Sequence, residues 1–168
     1  MADEIINRVA NSKLVTIDLE DFYLEGKRVI FDIKDWLFEG FVLREKDFRD
    51  QVSKYDWSQY KGAYVALTCS TDAIIPGWAY MLLSIQLEPY AKRVIAGNLE
   101  ELESAIYQDI INSLNLSAYK EKPIIIKGCA NKPVPQNAYI MLTNKLKPFA
   151  KSIMYGEACS SVPLYKKK

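Results

Sequence analysis

Residues 64–97 of this chain read YVALTCSTDAIIPGWAYMLLSIQLEPYAKRVIAG, and residues 123–156 repeat the pattern as PIIIKGCANKPVPQNAYIMLTNKLKPFAKSIMYG. The two copies are separated by a constant offset of 59 residues. Nine of the 22 positions 76–97 are identical in the second copy: Pro76, Ala79, Tyr80, Leu83, Leu87, Pro89, Ala91, Lys92 and Gly97. We interpret this pattern as an internal repeat, in which one structural unit occurs twice.

The repeat continues upstream of both stretches. Leu43, Asp50, Ser58, Tyr60 and Lys61 recur at the same offset as Leu102, Asp109, Ser117, Tyr119 and Lys120. Apolar spacing and turn residues predict the same four elements in each copy. In the first copy they are a helix near 43–54, a strand near 63–68, a helix near 76–89 and a strand near 92–96. In the second copy they are a helix near 99–113, a strand near 123–127, a helix near 136–148 and a strand near 151–155.

The strands of the repeat are continuous apolar runs rather than alternating ones. Such runs are typical of a parallel sheet that helices cover on both faces. Since strands and helices alternate along the chain, we predict an α/β fold with an open, mostly parallel sheet built from a duplicated α-β-α-β unit. Two more strands are predicted near 14–19 and 28–33, and we expect them to extend the sheet as an antiparallel hairpin or to cover one end.

A chain of 168 residues is about the size of one domain, so we predict a single domain over residues 1–168. It would comprise an N-terminal extension 1–38, repeats at 39–97 and 98–156, and a C-terminal tail 157–168 that crosses the surface.

Two prolines mark the start of the second helix in each copy. Pro76 and Pro135 suit the first helical turn, where the missing N–H has no intrahelical partner to lose. Asp72 and Asn131 lie a few residues upstream at equivalent positions, and we predict that their side chains cap these helices.

The composition excludes several classes of protein. A formal net charge of +1 gives no overall attraction to nucleic acid or to an anionic membrane, and no apolar run approaches the roughly 20 residues that span a bilayer. The N-terminal residues lack the pattern of a signal peptide, so we expect a cytoplasmic protein whose three cysteines remain thiols. Histidine, a GxSxG motif and a phosphate-binding glycine loop are all absent from the sequence. No catalytic residue is therefore identified, and a non-catalytic role is expected.

Each cysteine follows a predicted strand. Cys69 comes after strand 63–68, Cys129 after strand 123–127 and Cys159 after strand 151–155. In open α/β sheets ligands collect at the carboxyl ends of the strands, so the three thiols could converge there. Three thiolates without histidine suit zinc, iron or an iron–sulfur cluster. Asp72 and Glu157, the nearest carboxylates, would complete or tune such a metal site.

Other interpretations of these residues stay open. The thiols could pack as small apolar side chains, or one of them could react alone beside a cation such as Lys127, Lys132 or Lys151. Similarly, Trp78, Tyr80 and Tyr139 could line a pocket or pack on the sheet with polar tips in solvent.

Four phrases carry a resemblance to a known family: VALTCSTDAIIPGWAYML, DWSQY, KGCANKPVPQNAYIMLT and MYGEACSSVPLYKK. Over essentially its whole length the chain resembles a bacterial family catalogued as a domain of unknown function, and all three cysteines of the pattern are present. The family brings no assigned activity. The resemblance implies a genomic association with iron–sulfur cluster assembly genes, and from it we expect cluster assembly proteins as partners.

Two hypotheses about function follow. The first is an accessory to iron–sulfur cluster assembly that binds metal or a cluster through its three cysteines. The second is a non-catalytic interaction or scaffold protein whose cysteines are only structural. In that case the aromatic patch Trp36, Phe38 and Phe41, or the tail Val162–Tyr165, would bind a partner or associate with a second copy.

Overall fold

The computed structural model of the chain describes residues 13–128 and 131–168. The predicted α/β class is confirmed, and the strands form two sheets. The strands are β1 (Val15–Asp18), β2 (Arg28–Asp32), β3 (Tyr64–Thr68), β4 (Arg93–Ala96), β5 (Pro123–Lys127), β6 (Ser152–Glu157) and β7 (Ser160–Lys166). The α-helices are α1 (Glu45–Lys54), α2 (Gly77–Leu87), α3 (Leu99–Ser113) and α4 (Gln136–Leu146). No helix in the described part of the chain is long and apolar enough to cross a bilayer.

The described residues fall into two compact units. The central unit comprises residues 24–106 and contains the central sheet, with strand order β2-β3-β4. The terminal unit comprises residues 13–23 with the described residues from 107 onward, and it contains the terminal sheet, with strand order β1-β5-β6-β7.

The central sheet is entirely parallel, and β3 is its middle strand. Tyr64 to Leu67 are all at most 4% exposed, as a continuous apolar run on a two-sided sheet requires. Val65 and Leu67 pack against α1 and α2, in one core with Phe48 and Leu83. On the opposite face Arg28 of β2 pairs with Glu103 of α3, so helices cover both faces.

The terminal sheet combines parallel and antiparallel pairing. Strands β1, β5 and β6 are parallel, and α3 and α4 pack on them around Ile124, Ile126, Tyr107 and Leu142. The predicted surface tail is wrong, because residues 160–166 form β7, which pairs antiparallel with β6. Gly156, with φ +118°, lies in β6 near the reversal.

The predicted N-terminal hairpin is also wrong. β1 pairs parallel with β5, and β2 pairs parallel with β3, so the two N-terminal strands belong to different sheets. The reason is a local turn after each strand. Asp18 accepts a hydrogen bond from the backbone N–H of Glu20, and Asp32 accepts one from that of Lys34, both at 3.0 Å. Each aspartate thus starts a 3-10 turn that ends its strand without folding it back into a hairpin.

The two units share an order of elements. In each unit the order is a strand, a capped 3-10 turn, a helix, a second 3-10 turn, a strand, a helix and a further strand. The helix, strand, helix and strand that come after the first 3-10 turn of each unit are the four elements predicted from each copy of the repeat. Helix α3 contributes residues to both units. Duplication of one ancestral segment remains a prediction from the sequence.

The predicted side-chain caps of α2 and α4 are wrong. Pro76 and Pro135 occupy the N-cap position in extended conformation, and neither helix has a side-chain hydrogen bond at its N-cap. Asp72 and Asn131 lie four residues before these prolines, whereas a capping side chain sits at the N-cap itself.

Candidate functional site

The loop after β3 begins at the carboxyl edge of the central sheet, where Asp32 holds it. The Oδ1 atom of Asp32 accepts the backbone N–H of Ser70 at 3.1 Å as well as that of Lys34. Burial opposes ionisation of this carboxyl, but the hydrogen bonds outweigh burial, so the pKa of Asp32 lies below its ordinary value. The end of β2 and the first residues of the loop are thereby fastened together.

Cys69 opens this loop, half-buried, among hydroxyl groups. Its Sγ lies 3.4 Å from Thr71 Oγ1 and 3.7 Å from the Thr71 carbonyl oxygen. Burial, and secondarily the neighbouring Cys69, raises the pKa of the Tyr80 phenol.

A tight turn at residues 38–42 lies beside the same loop. Phe38 donates its N–H to the Val42 carbonyl at 2.8 Å, and the residues between them turn through positive φ at Glu39 (+51°) and Gly40 (+76°). Glycine adopts such a conformation without the steric cost that other residues meet. The Thr71 hydroxyl donates to the Gly40 carbonyl at 3.1 Å, so the turn and the loop are tied to each other.

Four large apolar side chains stand out from these tied segments, and we call them the loop surface: Phe38, Phe41, Val42 and Ile74. Ile74 is 92% exposed, Phe41 65% and Val42 53%. Phe38 is covered on one side by the Arg44 guanidinium, 3.2 Å from the ring centre. Exposed apolar groups gathered in one place are characteristic of interaction sites.

Trp36 does not belong to this surface, although the sequence grouped it with Phe38 and Phe41. Its ring centre lies 5.0 Å from that of Phe31 and 5.1 Å from that of Tyr55, so it packs on the core of the central unit. The sequence pattern did not distinguish this partly buried indole from the exposed phenylalanines two and five residues later.

Charged groups occupy the carboxyl edge of the terminal sheet. Lys127 Nζ lies 3.9 Å from both Asp18 Oδ2 and Glu157 Oε1, which brings the ends of β1, β5 and β6 together. Glu20 Oε1 accepts the backbone N–H of Asn131 at 2.7 Å. This edge therefore carries ion pairs, whereas large apolar side chains are exposed beside the edge of the central sheet.

The predicted metal ligands are distributed over both units. Cys69 and Asp72 lie in the loop after β3, and Asp72 lines a cavity of about 380 Å³ next to the loop surface. Glu157 ends β6, and the exposed Cys159 lies in the turn before β7. Cys129 lies outside the described residues. Within residues 13–128 and 131–168 no three Cys, Asp or Glu side chains are grouped as a metal site, and the convergence of all three thiols remains a prediction.

Two grooves occupy equivalent positions in the two units. The central groove, of about 420 Å³, lies between α2 and β4, and the terminal groove, of about 550 Å³, lies between α4 and strands β6 and β7. Their lining residues correspond at the offset of the repeat: Leu67 and Ile126, Tyr80 and Tyr139, Met81 and Ile140, Ser84 and Thr143, Ile85 and Asn144, Ala96 and Tyr155. Tyr80 and Tyr139 thus line grooves, whereas Trp78 packs on Phe48 with 5.8 Å between ring centres.

Two exposed residues of the central groove are not predicted from the sequence. Met81 and Ile85 on α2 are 67% and 66% exposed. A signal was present, because Met81, Leu82, Leu83 and Ile85 place apolar side chains on every side of the helix. Such a helix is normally buried all round.

Comparison with known proteins adds one finding. The family model described as "Protein of unknown function (DUF2480)" matches residues 3–167. The chain belongs to this family. The match spans both units, and it confirms the resemblance to a domain of unknown function that the four phrases indicated. No curated protein and no solved structure matches this DUF2480 member.

Proposed function

We propose that this DUF2480 protein is a non-catalytic interaction protein that binds an apolar segment of another protein on the loop surface. The observation that carries the proposal is the exposure of Phe41, Val42 and Ile74 on segments that the Thr71–Gly40 hydrogen bond ties together. A surface that is ordered before binding loses less conformational entropy on association, so a small apolar area can contribute more to affinity.

Photo-crosslinking tests this proposal in the native host. A photoreactive residue in place of Ile74 or Phe41 should form an adduct with one defined protein, which mass spectrometry would identify. The matched control is the same residue at Lys61, which is exposed and precedes β3, at the opposite end of that strand from the loop. Equal adducts at positions 74 and 61, or none at either loop position, would refute the loop surface as the binding site.

Binding of the purified partner then gives the size of the effect. Ile74→Asp should weaken the complex about tenfold or more, because a charge would enter a desolvated apolar contact. The same substitution should leave thermal unfolding unchanged, since the side chain is almost fully exposed. A variant that binds as tightly as the wild type contradicts the proposal.

A second candidate is the metal or iron–sulfur accessory role, in the cytoplasm and with cluster assembly proteins as partners. Its support is the location of Cys69 and Asp72 together at the carboxyl edge of a parallel sheet. One thiol and one carboxylate are an incomplete donor set for zinc or a cluster. The role therefore depends on Cys129 and Cys159 supplying the remaining thiolates, with Glu157 as the other carboxylate.

Elemental analysis decides this second candidate. Protein prepared anaerobically from the native host would be measured for iron and zinc and by ultraviolet–visible absorption. Near-stoichiometric metal that is lost in Cys69→Ser and in Cys129→Ser would support a shared site, and the absorption bands would separate a cluster from zinc. Metal content that is unaffected by both substitutions would rule the shared site out.

A further inference from the structure

The central groove lies beside an open strand edge. Within the described residues β4 pairs only with β3, and Met81 and Ile85 of α2 project next to it, each about two-thirds exposed. Soluble proteins usually cover or blunt an open edge and an exposed apolar helix face, because each promotes association. Here both occur side by side.

The terminal groove shows how this fold covers the equivalent place. There β7 pairs along β6, and Val162 and Leu164 of β7 form the outer wall of the groove. The terminal unit therefore has an extended strand where the central unit has, among the described residues, an edge. A strand that covers β4 has to meet two requirements that β7 meets in the terminal unit. Its backbone must form hydrogen bonds with the open edge, and its side chains must make apolar contacts with α2.

The backbone of β4 is oriented to accept such a strand. Leu67 of β3 pairs with Ala96 of β4, and the Leu67 carbonyl accepts the N–H of Gly97 at 2.9 Å, so the Gly97 N–H points toward β3. Successive residues of a strand point their N–H groups in opposite directions, so the N–H of Ala96 is directed away from β3, toward the open edge.

We propose that β4 of a second copy of this chain covers the edge by antiparallel pairing, which joins two central sheets into one of six strands. A two-fold axis perpendicular to the sheet keeps both α2 helices on the same face. Strands are about 4.8 Å apart, so helices that each lie over β3 and β4 would be about 10 Å apart across the axis. That is a normal distance for packed helices, and Met81 and Ile85 of both copies would fill the space between them.

The charged residues at the two ends of β4 favour pairing with the β4 strand of a second copy, and they favour the antiparallel direction. Lys92 precedes the strand, and Glu100 and Glu101 follow it in the first turn of α3. Antiparallel pairing sets the basic end of one copy against the acidic end of the other, whereas parallel pairing would set like charges together. The edge is therefore complementary to itself, as an isologous dimer interface must be.

Sedimentation equilibrium of the full chain over a concentration series tests the proposal. The wild type should be a dimer, and Met81→Glu and Ile85→Glu should each raise the dimer dissociation constant about tenfold or more. The matched control is Ile140→Glu, at the equivalent position of α4, which is also exposed and should leave the constant unchanged. A wild type that stays monomeric throughout the series would overturn the proposal, as would an equal effect of Ile140→Glu.

A charge exchange tests the direction of pairing. Lys92→Glu should weaken the dimer, and Lys92→Glu combined with Glu100→Lys should restore it, because the two charges meet across the axis. If the dimer of the double variant were weaker than that of either single variant, antiparallel pairing would be contradicted. Ile74→Asp on the loop surface should leave the dimer intact, so failure of this proposal and failure of the partner-binding proposal give different results.

Discussion

The central and terminal units differ most at the strand that follows the second helix of each. In the terminal unit, β6 is flanked by β5 and β7, whereas in the central unit β4 has only β3 as a neighbour among the described residues. The carboxyl edges differ as well, since Lys127 gathers two carboxylates in the terminal unit while Phe41 and Ile74 are exposed in the central one. Two units with a common order of elements therefore present different surfaces. We infer that the central unit carries the surfaces for association.

The largest effect is expected at the buried ion pair of the central unit. Arg28 Nε donates to Glu103 Oε1 at 2.5 Å, and both side chains are about nine-tenths buried. Glu103→Gln leaves the guanidinium charge buried without its counter-ion and should lower the free energy of unfolding by about 3 kcal/mol in urea titrations. The control is Glu45→Gln, whose exposed ion pair with Arg49 should matter by less than about 0.5 kcal/mol. Equal effects of the two substitutions would show that the buried pair does not stabilise the central unit.

A proline exchange tests the difference between β4 and β6 directly. Tyr155 occupies in β6 the position that Ala96 occupies in β4. Pro163 of β7 lies opposite Met154 and has no N–H to donate, so the hydrogen-bonded pair is Tyr155 with Val162, and the Tyr155 N–H points toward β7. Measured against Tyr155→Ala, Tyr155→Pro should cost about 2–3 kcal/mol through loss of a ladder hydrogen bond and strain. Ala96→Pro, at the open edge, should cost much less in dilute solution. The comparison fails if both prolines destabilise the protein equally in thermal unfolding.

A lysine supports the terminal unit at the end of α3. Lys145 Nζ donates to the carbonyls of Ile111 (2.5 Å), Asn112 (3.0 Å) and Leu114 (2.9 Å), where a helix leaves its last acceptors unpaired. Lys145→Met should therefore lower the free energy of unfolding by about 1–2 kcal/mol. Gln86 holds the equivalent position on α2, and Gln86→Met should change stability by less than about 0.5 kcal/mol. Similar losses in both variants would remove this distinction between the units.

The smallest effect concerns pH and Asp32. Its pKa is lowered in the folded protein, so the unfolded chain binds more protons, and the stability it contributes is present above the ordinary value near 3.8 and is lost as the pH falls below it. Asp32→Asn should make the unfolding free energy slightly less sensitive to acid in that range. Urea titrations at several pH values would show this, and an unchanged acid dependence would mean that the hydrogen bonds from Ser70 and Lys34 do not favour the ionised carboxyl.

Helices and strands were predicted well from the sequence where the pattern of apolar residues within the element was clear. The run Pro123–Lys127 and the apolar spacing of Leu99–Ser113 gave β5 and α3 with their observed bounds, because both signals are complete within one element. Pairing partners were harder to predict. Nothing near β1 in the sequence indicates that it pairs with β5, more than a hundred residues away, and Pro163 concealed a strand that tolerates it at the edge of the terminal sheet.

The candidate site was only partly predictable for a similar reason. Cys69 at the end of β3 follows from a strand boundary, and its position was predicted correctly. The exposure of Ile74 and the partial burial of Trp36 depend on which distant segments pack over each, and residue type alone does not determine that. The apolar residues around α2 were visible in the sequence, but which of them are exposed followed only from the position of β4 at the edge of the central sheet.

Amide hydrogen exchange at Ala96 and Tyr155, followed by NMR at low and high protein concentration, tests the central claim most directly. The Tyr155 amide should be protected at every concentration, because β7 covers it. The Ala96 amide should exchange rapidly in dilute solution and become protected as the concentration rises and β4 pairs with its counterpart. An Ala96 amide whose exchange does not depend on concentration would contradict the account.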